Sequence, residues 1–265
     1  MKVIELIEIL DEIAPFETQE KWDNSGLIIG SINNKVNDIY LSLDISTTII
    51  NQIENNSVLI THHPLIFKSI KNIDFNTYPG NLIKLLIEKN ITYICMHTNY
   101  DKSILNEYFV KSIFNPIDFT YENDFLITFN MKFKNIKKLS KFLKKKIYDS
   151  NPDILNIVSN DITKSIQKIG VCVGSGSSLL SDAKRNNVDV FLTGDISHHT
   201  AMEALENNIS LIDITHYHSE KCFTDSLYFN LMNFDDLYTD ILDSMSFDKN
   251  IKITCLDSSS PFRKI

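Results

Sequence analysis

The sequence predicts an α/β fold made of two similar lobes, and three observations point there. Short apolar runs of strand length alternate along the chain with stretches whose apolar residues keep helical spacing. Ligand-type polar residues repeatedly follow the strand-like runs, where open α/β sheets keep their ligand crevice. The third observation is an internal echo. Asp44-Ile-Ser46, a helix, Glu54-Asn-Asn56, an apolar run and Thr61-His62 parallel Asp195-Ile-Ser197, a helix, Glu206-Asn-Asn208, an apolar run and Thr215-His216. The separation from Asp to His is 18 residues in the first copy and 21 in the second.

The elements follow in order. Residues 3–14 read as an amphipathic helix with Val3, Leu6, Ile7, Leu10 and Ile13 on one face, stopped by Pro15. Asn24-Ser-Gly26 is a turn, and Leu27-Ile-Ile29 after it a short buried strand. Trp22 is expected to anchor that turn by burial. Asp23 and Asn24 are expected to cap it, with a place near a site as the minor alternative. Ile39–Ser46 is a strand ending in Asp-x-Ser, and Thr47–Asn55 a helix after a Ser/Thr cap. Val58-Leu-Ile60 is a continuous apolar run, the mark of a buried parallel strand. It leads through Thr61 into His62-His63-Pro64. If that pair is extended, its two side chains point to opposite sides and one strand tip serves two ions.

Leu65 to Ile70 are an apolar loop or strand, Gly80 to Glu88 a helix, and Ile91–Met96 a strand followed by His97-Thr-Asn-Tyr-Asp101. Phe125–Phe133 is strand-like. Ile136–Ile147 is an amphipathic helix whose many lysines are read as solvated, an anion-binding surface being the lesser alternative. Asn151-Pro152 opens a polar connection. Ile169 begins a strand that runs into Gly174-Ser-Gly-Ser-Ser178 and then a helix at Leu179–Asn186. That turn offers N–H groups to a phosphate, but it matches neither the Walker nor the dinucleotide pattern, and close helix–sheet packing explains it equally well. Strands at Val188–Thr193, Ser210–Ile214 and Ile251–Leu256, with helices at Thr200–Asn207 and 221–233, complete the chain.

Composition bounds the function. The chain has 265 residues, 43% hydrophobic and 23% charged, which suits one large domain or two small ones. A net charge of −8 argues against a broad nucleic-acid footprint. Cys95, Cys172, Cys222 and Cys255 form no C-x-x-C pair and are expected to be reduced, buried thiols. Cys95, within a strand, is expected to be inert. The acidic N-terminus does not read as a signal peptide, and no apolar run reaches membrane-spanning length. The expectation is a cytoplasmic protein without a membrane partner.

All seven histidines lie in four places, at 62/63, 97, 198/199 and 216/218, each after a predicted strand. Asp101 stands four residues after His97, and Glu220 four after His216. In a helix that spacing puts both members of a pair on one face. His62, His63, Asp101, His216 and Glu220 are therefore the candidate metal ligands. Imidazole with carboxylate suits Zn, Fe or Mn better than Ca or Mg, and five protein ligands fit a two-ion centre with a bridging carboxylate. His97 is the candidate catalytic residue, as a proton carrier or as a group that orients a ligand. His198, His199 and His218 fit rim and functional roles equally.

Seven segments, WDNSGLIIG (22–30), LSLDIS (41–46), ITHHPLIF (60–67), HTNYD (97–101), GVCVGSGSS (170–178), LTGDISHH (192–199) and DITHYHSE (213–220), together resemble the Nif-three-like family of dinuclear-metal hexameric proteins, the type-two GTP cyclohydrolase I homologues. The resemblance implies two intertwined three-layer α/β/α lobes with a metal pair between them, and a toroidal homohexamer. The first lobe would cover 1–124 and the second 125–265, with the C-terminal segment able to return to the first. His63 and Asp101 would hold one ion, His62 and His216 the other, and Glu220 would bridge. Family members usually have Gly before the last histidine; Thr215 stands there here, a tolerable change unless the position needs positive φ. The polar stretch around 149–165 leaves no room for the extra domain that longer members carry.

Two functions follow from these readings. One is hydrolysis by two divalent ions that acidify a shared water, with a nucleotide such as GTP as the family-level substrate. The other is metal storage, delivery or sensing without turnover.

Overall fold

A computed structural model describes residues 1–148, 155–238 and 245–262. The chain divides into two units, Met1–Ser103 with Phe223–Ile265, and Ile104–Cys222. The second is thus inserted into the first along the sequence. Asn151-Pro152 and the rest of the connection at 149–154 lie outside the described residues.

The first unit opens with α1 (Val3–Ile13), which buries Val3, Leu6, Ile9, Leu10 and Ile13. Ile9 takes the inward position expected of Ile7, because the stripe is wider than one i, i+3, i+4 track. β1 (Gly26–Ile29) follows, half-buried along its length instead of buried, since it is the edge strand. Next come β2 (Asp38–Ser42), α2 (Thr47–Asn51), β3 (Val58–Thr61), α3 (Gly80–Glu88) and β4 (Thr92–Cys95). β2, β3 and β4 pair in parallel, and β1 runs antiparallel to β4. All four residues of β3 are buried. A central parallel strand is covered on both faces, which is why Val58, Leu59 and Ile60 are apolar in succession and not alternating. Leu65 to Ile70 form loop, not strand. After His97 the chain makes the short α4 (Thr98–Tyr100) and one π-turn at Asp101–Leu105.

The inserted unit contains α5 (Asn106–Ile113), β5 (Thr120–Tyr121), β6 (Ile127–Phe133), α6 (Ile136–Ile147), β7 (Asn156–Val158), β8 (Ile166–Val171), α7 (Leu180–Arg185), β9 (Val190–Thr193), α8 (His198–Glu206), β10 (Ser210–Asp213) and α9 (His216–Glu220). Its sheet has the order β5-β6-β8-β9-β10-β7, with β8, β9 and β10 parallel. Residues 104–124, grouped with the first lobe on sequence, sit here because β5 pairs with β6. α6 buries Ile136, Leu139, Ser140, Leu143 and Ile147 and turns most of its lysines to solvent, the favoured expectation.

The chain then returns to the first unit with α10 (Phe223–Met232), α11 (Phe234–Leu237) and β11 (Lys252–Cys255). β11 pairs in parallel with β2 and closes the order β1-β4-β3-β2-β11. Of the cysteines, Cys95 and Cys172 are buried, Cys222 is half-buried and Cys255 is exposed, so burial holds for two of the four. No helix among the described residues is long and apolar enough to cross a membrane.

Candidate metal centre

In the first unit, β3 delivers His62 and His63 at its carboxyl end, where a buried polar frame fixes the turn. Tyr93 is fully buried, and its hydroxyl accepts the Leu65 N–H at 2.9 Å. The same hydroxyl lies 2.8 Å from Thr61 Oγ1, which donates to the His63 carbonyl at 2.9 Å. Burial holds the Tyr93 phenol far above its ordinary pKa, so it stays a neutral partner. Cys95 Sγ donates to the His62 carbonyl at 2.9 Å, and burial pushes its thiol pKa up, which agrees with an inert cysteine.

Three imidazoles gather here. His62 is fully buried with Nδ1 2.8 Å from the Met96 carbonyl. His63 Nδ1 lies 2.7 Å from Asp44 Oδ1, and His97 Nδ1 lies 2.7 Å from Asp23 Oδ1. Carbonyls and carboxylates only accept, so each Nδ1 carries a proton and Nε2 is the atom left for an ion. The ligand atoms of the three rings lie within 4.8 Å of one another, a grouping that could hold a metal ion. The His62 and His63 rings are 5.0 Å apart, so they do not point to opposite sides as extended backbone would have them. The chain has already left the strand at His62, where the turn toward Pro64 begins. Asp101 opens the π-turn, 91% buried, with Oδ1 3.4 Å from His62 Nε2. Such turns bulge a helix outward and recur at functional sites.

Asp23 is therefore more than a turn cap. Its Oδ2 accepts from the Thr98 backbone N–H at 3.0 Å and from the Thr98 hydroxyl. Burial alone would raise its pKa; the bonds from His97 and Thr98 outweigh that and hold the carboxyl well below the usual range.

The inserted unit holds an imidazole–carboxylate pair of its own. His216 and Glu220 occupy one face of α9, with Nε2 and Oε2 3.0 Å apart. His216 Nδ1 lies 2.7 Å from Asp195 Oδ2. Burial pulls the imidazole pKa down, but the carboxylates of Glu220 and Asp195 raise it to about 9. Glu220 is only 2% exposed. Two glycines let α9 pack this closely. A Cβ on Gly174, whose φ is +62°, would come 2.2 Å from Glu220 Oε1. One on Gly194 would come 2.5 Å from the His216 backbone nitrogen. Of the two explanations for the Gly174–Ser178 turn, close packing is the one these contacts support, with α9 as the packed element.

Thr215, just before His216, has φ +61° and ψ 146°. This position does need positive φ, in a region that is essentially glycine's, and a β-branched residue there is strained. Its side chain offsets part of that cost. The hydroxyl lies 2.7 Å from His218 Nδ1 and caps α9 by accepting the His218 N–H at 3.4 Å. His218 also packs on Tyr148, with ring centroids 4.5 Å apart, which gives it a structural place. His198 and His199 are exposed at the start of α8.

Asp44 and Asp195 were not among the sequence candidates, although the Asp-Ile-Ser echo marks both. That echo aligned Asp44 with His62; the structure gives Asp44 to His63. The serines of the echo also repeat their role, Ser46 capping α2 and Ser197 capping α8.

Donor types in both units, imidazole nitrogen beside carboxylate oxygen, fit borderline divalent ions. Known proteins agree with this architecture. Residues 1–244 match the family model described as Duf34/NIF3 (NGG1p interacting factor 3). A Campylobacter jejuni protein named GTP cyclohydrolase 1 type 2 homolog is 43% identical over 233 residues, covering 88% of this chain and 93% of its own. A Helicobacter pylori J99 protein named GTP cyclohydrolase 1 type 2 is 39% identical, over 83% of this chain and 88% of its own. Among solved structures, a Staphylococcus aureus protein superposes with a TM-score of 0.83 at 26% identity, over 100% of this chain and 99% of its own. A Bacillus cereus protein related to NIF3 shares the fold at a TM-score of 0.81 and 16% identity, with coverage of 100% and 99%. The chain belongs to the Duf34/NIF3 family.

Proposed function

We propose that the protein is a dinuclear, divalent-metal-dependent hydrolase acting on a nucleotide such as GTP. The observation that carries this reading is a pattern repeated at four imidazoles. His62, His63, His97 and His216 each have Nδ1 engaged by a carbonyl or carboxylate acceptor. That arrangement fixes the tautomer and raises the basicity of Nε2, as metal-ligating histidines require. The proposed ligands are His62, His63, Asp101, His216 and Glu220. Following the family pattern, His63 and Asp101 serve one ion, His62 and His216 the other, and Glu220 both. Ions of the Zn, Fe or Mn class match the donors.

Bound there, they would supply Lewis acidity toward the substrate and acidify a water near neutral pH. The protein's own groups do the rest. Asp23 keeps the His97 proton on Nδ1, so His97 exchanges protons through Nε2. Asp44 and Asp195 hold His63 and His216 in place. The nucleotide assignment is supported by the names of the relatives from Campylobacter and Helicobacter. Cytoplasmic location and assembly as a toroidal homohexamer belong to the same proposal; sedimentation as a monomer would remove the hexamer from it.

Purified protein loaded with Zn, Mn or Fe and assayed on GTP and a phosphoester panel tests the reading. We expect turnover that is lost in His63→Ala and Glu220→Ala. His97→Gln should keep its metal and lower kcat by about 10²–10⁴-fold. Turnover unaffected by His63→Ala and Glu220→Ala rejects hydrolysis at this centre. Ready transfer of metal to an apo-acceptor, with no substrate turned over, would select storage or delivery instead.

A further inference from the structure

Trp22 is the only tryptophan in the chain, and it is 57% exposed where the sequence suggested a buried anchor. Phe67 is 43% exposed. The two rings meet edge to face, with centroids 5.6 Å apart. Both also stand edge to face against His97, at 6.3 Å and 6.1 Å. Large aromatic surface left in water forgoes the favourable burial that usually fixes such residues.

Slack backbone does not account for the exposure. Asp23, next to Trp22, is held by His97 and the Thr98 N–H. Asn24 Nδ2 donates to the Ile66 carbonyl at 2.7 Å, which ties the Trp22 turn to the residue before Phe67. Ser25 N–H donates to Gln19 Oε1 at 2.7 Å on the other side of the turn. The exposed rings are thus pinned to the framework that orients an imidazole of the candidate centre.

We propose that Trp22 and Phe67 form an aromatic wall that stacks the planar base of a nucleotide whose phosphates reach the histidine cluster. The inference rests on the nucleotide reading above and names the part of the substrate which that reading leaves without a partner. A nucleobase fits the surroundings better than a protein chain. The wall directly adjoins imidazoles and an ionised Asp23, so its occupant must be apolar on one face and compatible with polar, metal-binding groups beside it. A base attached to phosphates has both properties, and stacking needs only a π-face.

The lone tryptophan supplies its own reporter. Metal-loaded, full-length protein is titrated with GTP and, separately, with tripolyphosphate, following Trp22 emission and binding heat in parallel. GTP should quench Trp22, and tripolyphosphate should bind without quenching. Phe67→Ala and Trp22→Ala should each weaken GTP by about tenfold, given the usual strength of base stacking, and leave tripolyphosphate within about twofold. Trp22→Phe should restore most of the GTP affinity, which separates stacking from damage to the turn. GTP binding heat with unchanged emission, and unaltered affinity in both alanine variants, would overturn the wall while leaving the hydrolase reading intact. No heat from either ligand would overturn the nucleotide reading and the wall together. Emission that changes with protein concentration alone would give the wall to a second copy of the chain and overturn its role toward a base.

Discussion

Asp44 and Asp195 each accept a hydrogen bond from the Nδ1–H of one imidazole and so decide which nitrogen remains for an ion. Asp44→Asn and Asp195→Asn should each weaken metal binding by about 10–100-fold, the usual cost of losing such an orienting group. Competition against a chromogenic chelator reads this directly, and unchanged affinity in both variants would remove the orienting role. Thr215 gives a prediction of opposite sign. Its backbone region costs about 1–3 kcal/mol for a non-glycine residue. Thr215→Gly releases that strain, loses a few tenths of a kcal/mol of cap energy, and adds roughly 0.5–1 kcal/mol of unfolded-chain entropy. The strain is the largest of these, so we expect about 1 kcal/mol of added stability, read as a higher urea midpoint at unchanged slope. A lower midpoint would mean the contact with His218 outweighs the strain. At this scale the sequence displayed the ligand types clearly, since His62, His63, Asp101, His216 and Glu220 all follow strands. The partners were less visible. Which aspartate reaches which imidazole depends on side-chain direction just past a strand end, and a one-residue offset there moved Asp44 from His62 to His63.

The two strand–helix–strand units β2-α2-β3 and β9-α8-β10 repeat the same local chemistry. Each has an Asp after its first strand, a Ser that caps the helix, and a left-handed Asn, Asn56 or Asn208, shortly before its second strand. This repetition was legible because every step depends on a residue type with a local job: cap, turn or strand. Elements that depend on distant pairing were not. β5 is two exposed residues that exist as a strand only through β6, and β7 is held by β10. The join between β8 and β9 gives a test at this scale. Asp189 Oδ2 accepts from the Gln167 and Lys168 backbone N–H groups at 2.9 and 3.1 Å, and Lys164 lies 3.0 Å from its Oδ1. Burial pushes the Asp189 pKa up, but these donors pull it below its ordinary value of 3.8. A carboxylate depressed in the folded state adds stability that is complete above the unfolded pKa and lost as pH falls through the folded one. Asp189→Asn should therefore lower Tm at pH 7 and show a shallower fall in Tm than the parent protein as pH drops below about 4. Parallel acid profiles would show that Asp189 contributes nothing through its charge.

At the scale of the whole molecule, apolar runs and amphipathic stretches were enough to give an α/β chain with two sheets. They did not show where one unit stops and the other resumes, because a chain that leaves a unit and returns carries no mark at the crossing. Ser103 lies inside the π-turn, and Cys222 stands directly before α10. The inserted unit is continuous and has its own six-stranded sheet and its own core around Leu126, Phe191 and Leu211. Residues 104–222 alone should therefore unfold cooperatively in urea, whereas residues 1–103 alone, lacking α10 and β11, should not. A cooperative transition from the 1–103 fragment, or none from 104–222, would contradict that division.

The same interruption bears on how the protein is made. The segment that ends at Cys222 leaves the ribosome before β11 does, so the inserted unit can reach its native sheet while its host still lacks an edge. Until Lys252–Cys255 emerges, β2 offers unpaired N–H and C=O groups to any extended chain nearby. The interval between those two events is when a nascent chain of this protein is most exposed to mispairing, and when a chaperone would serve it best.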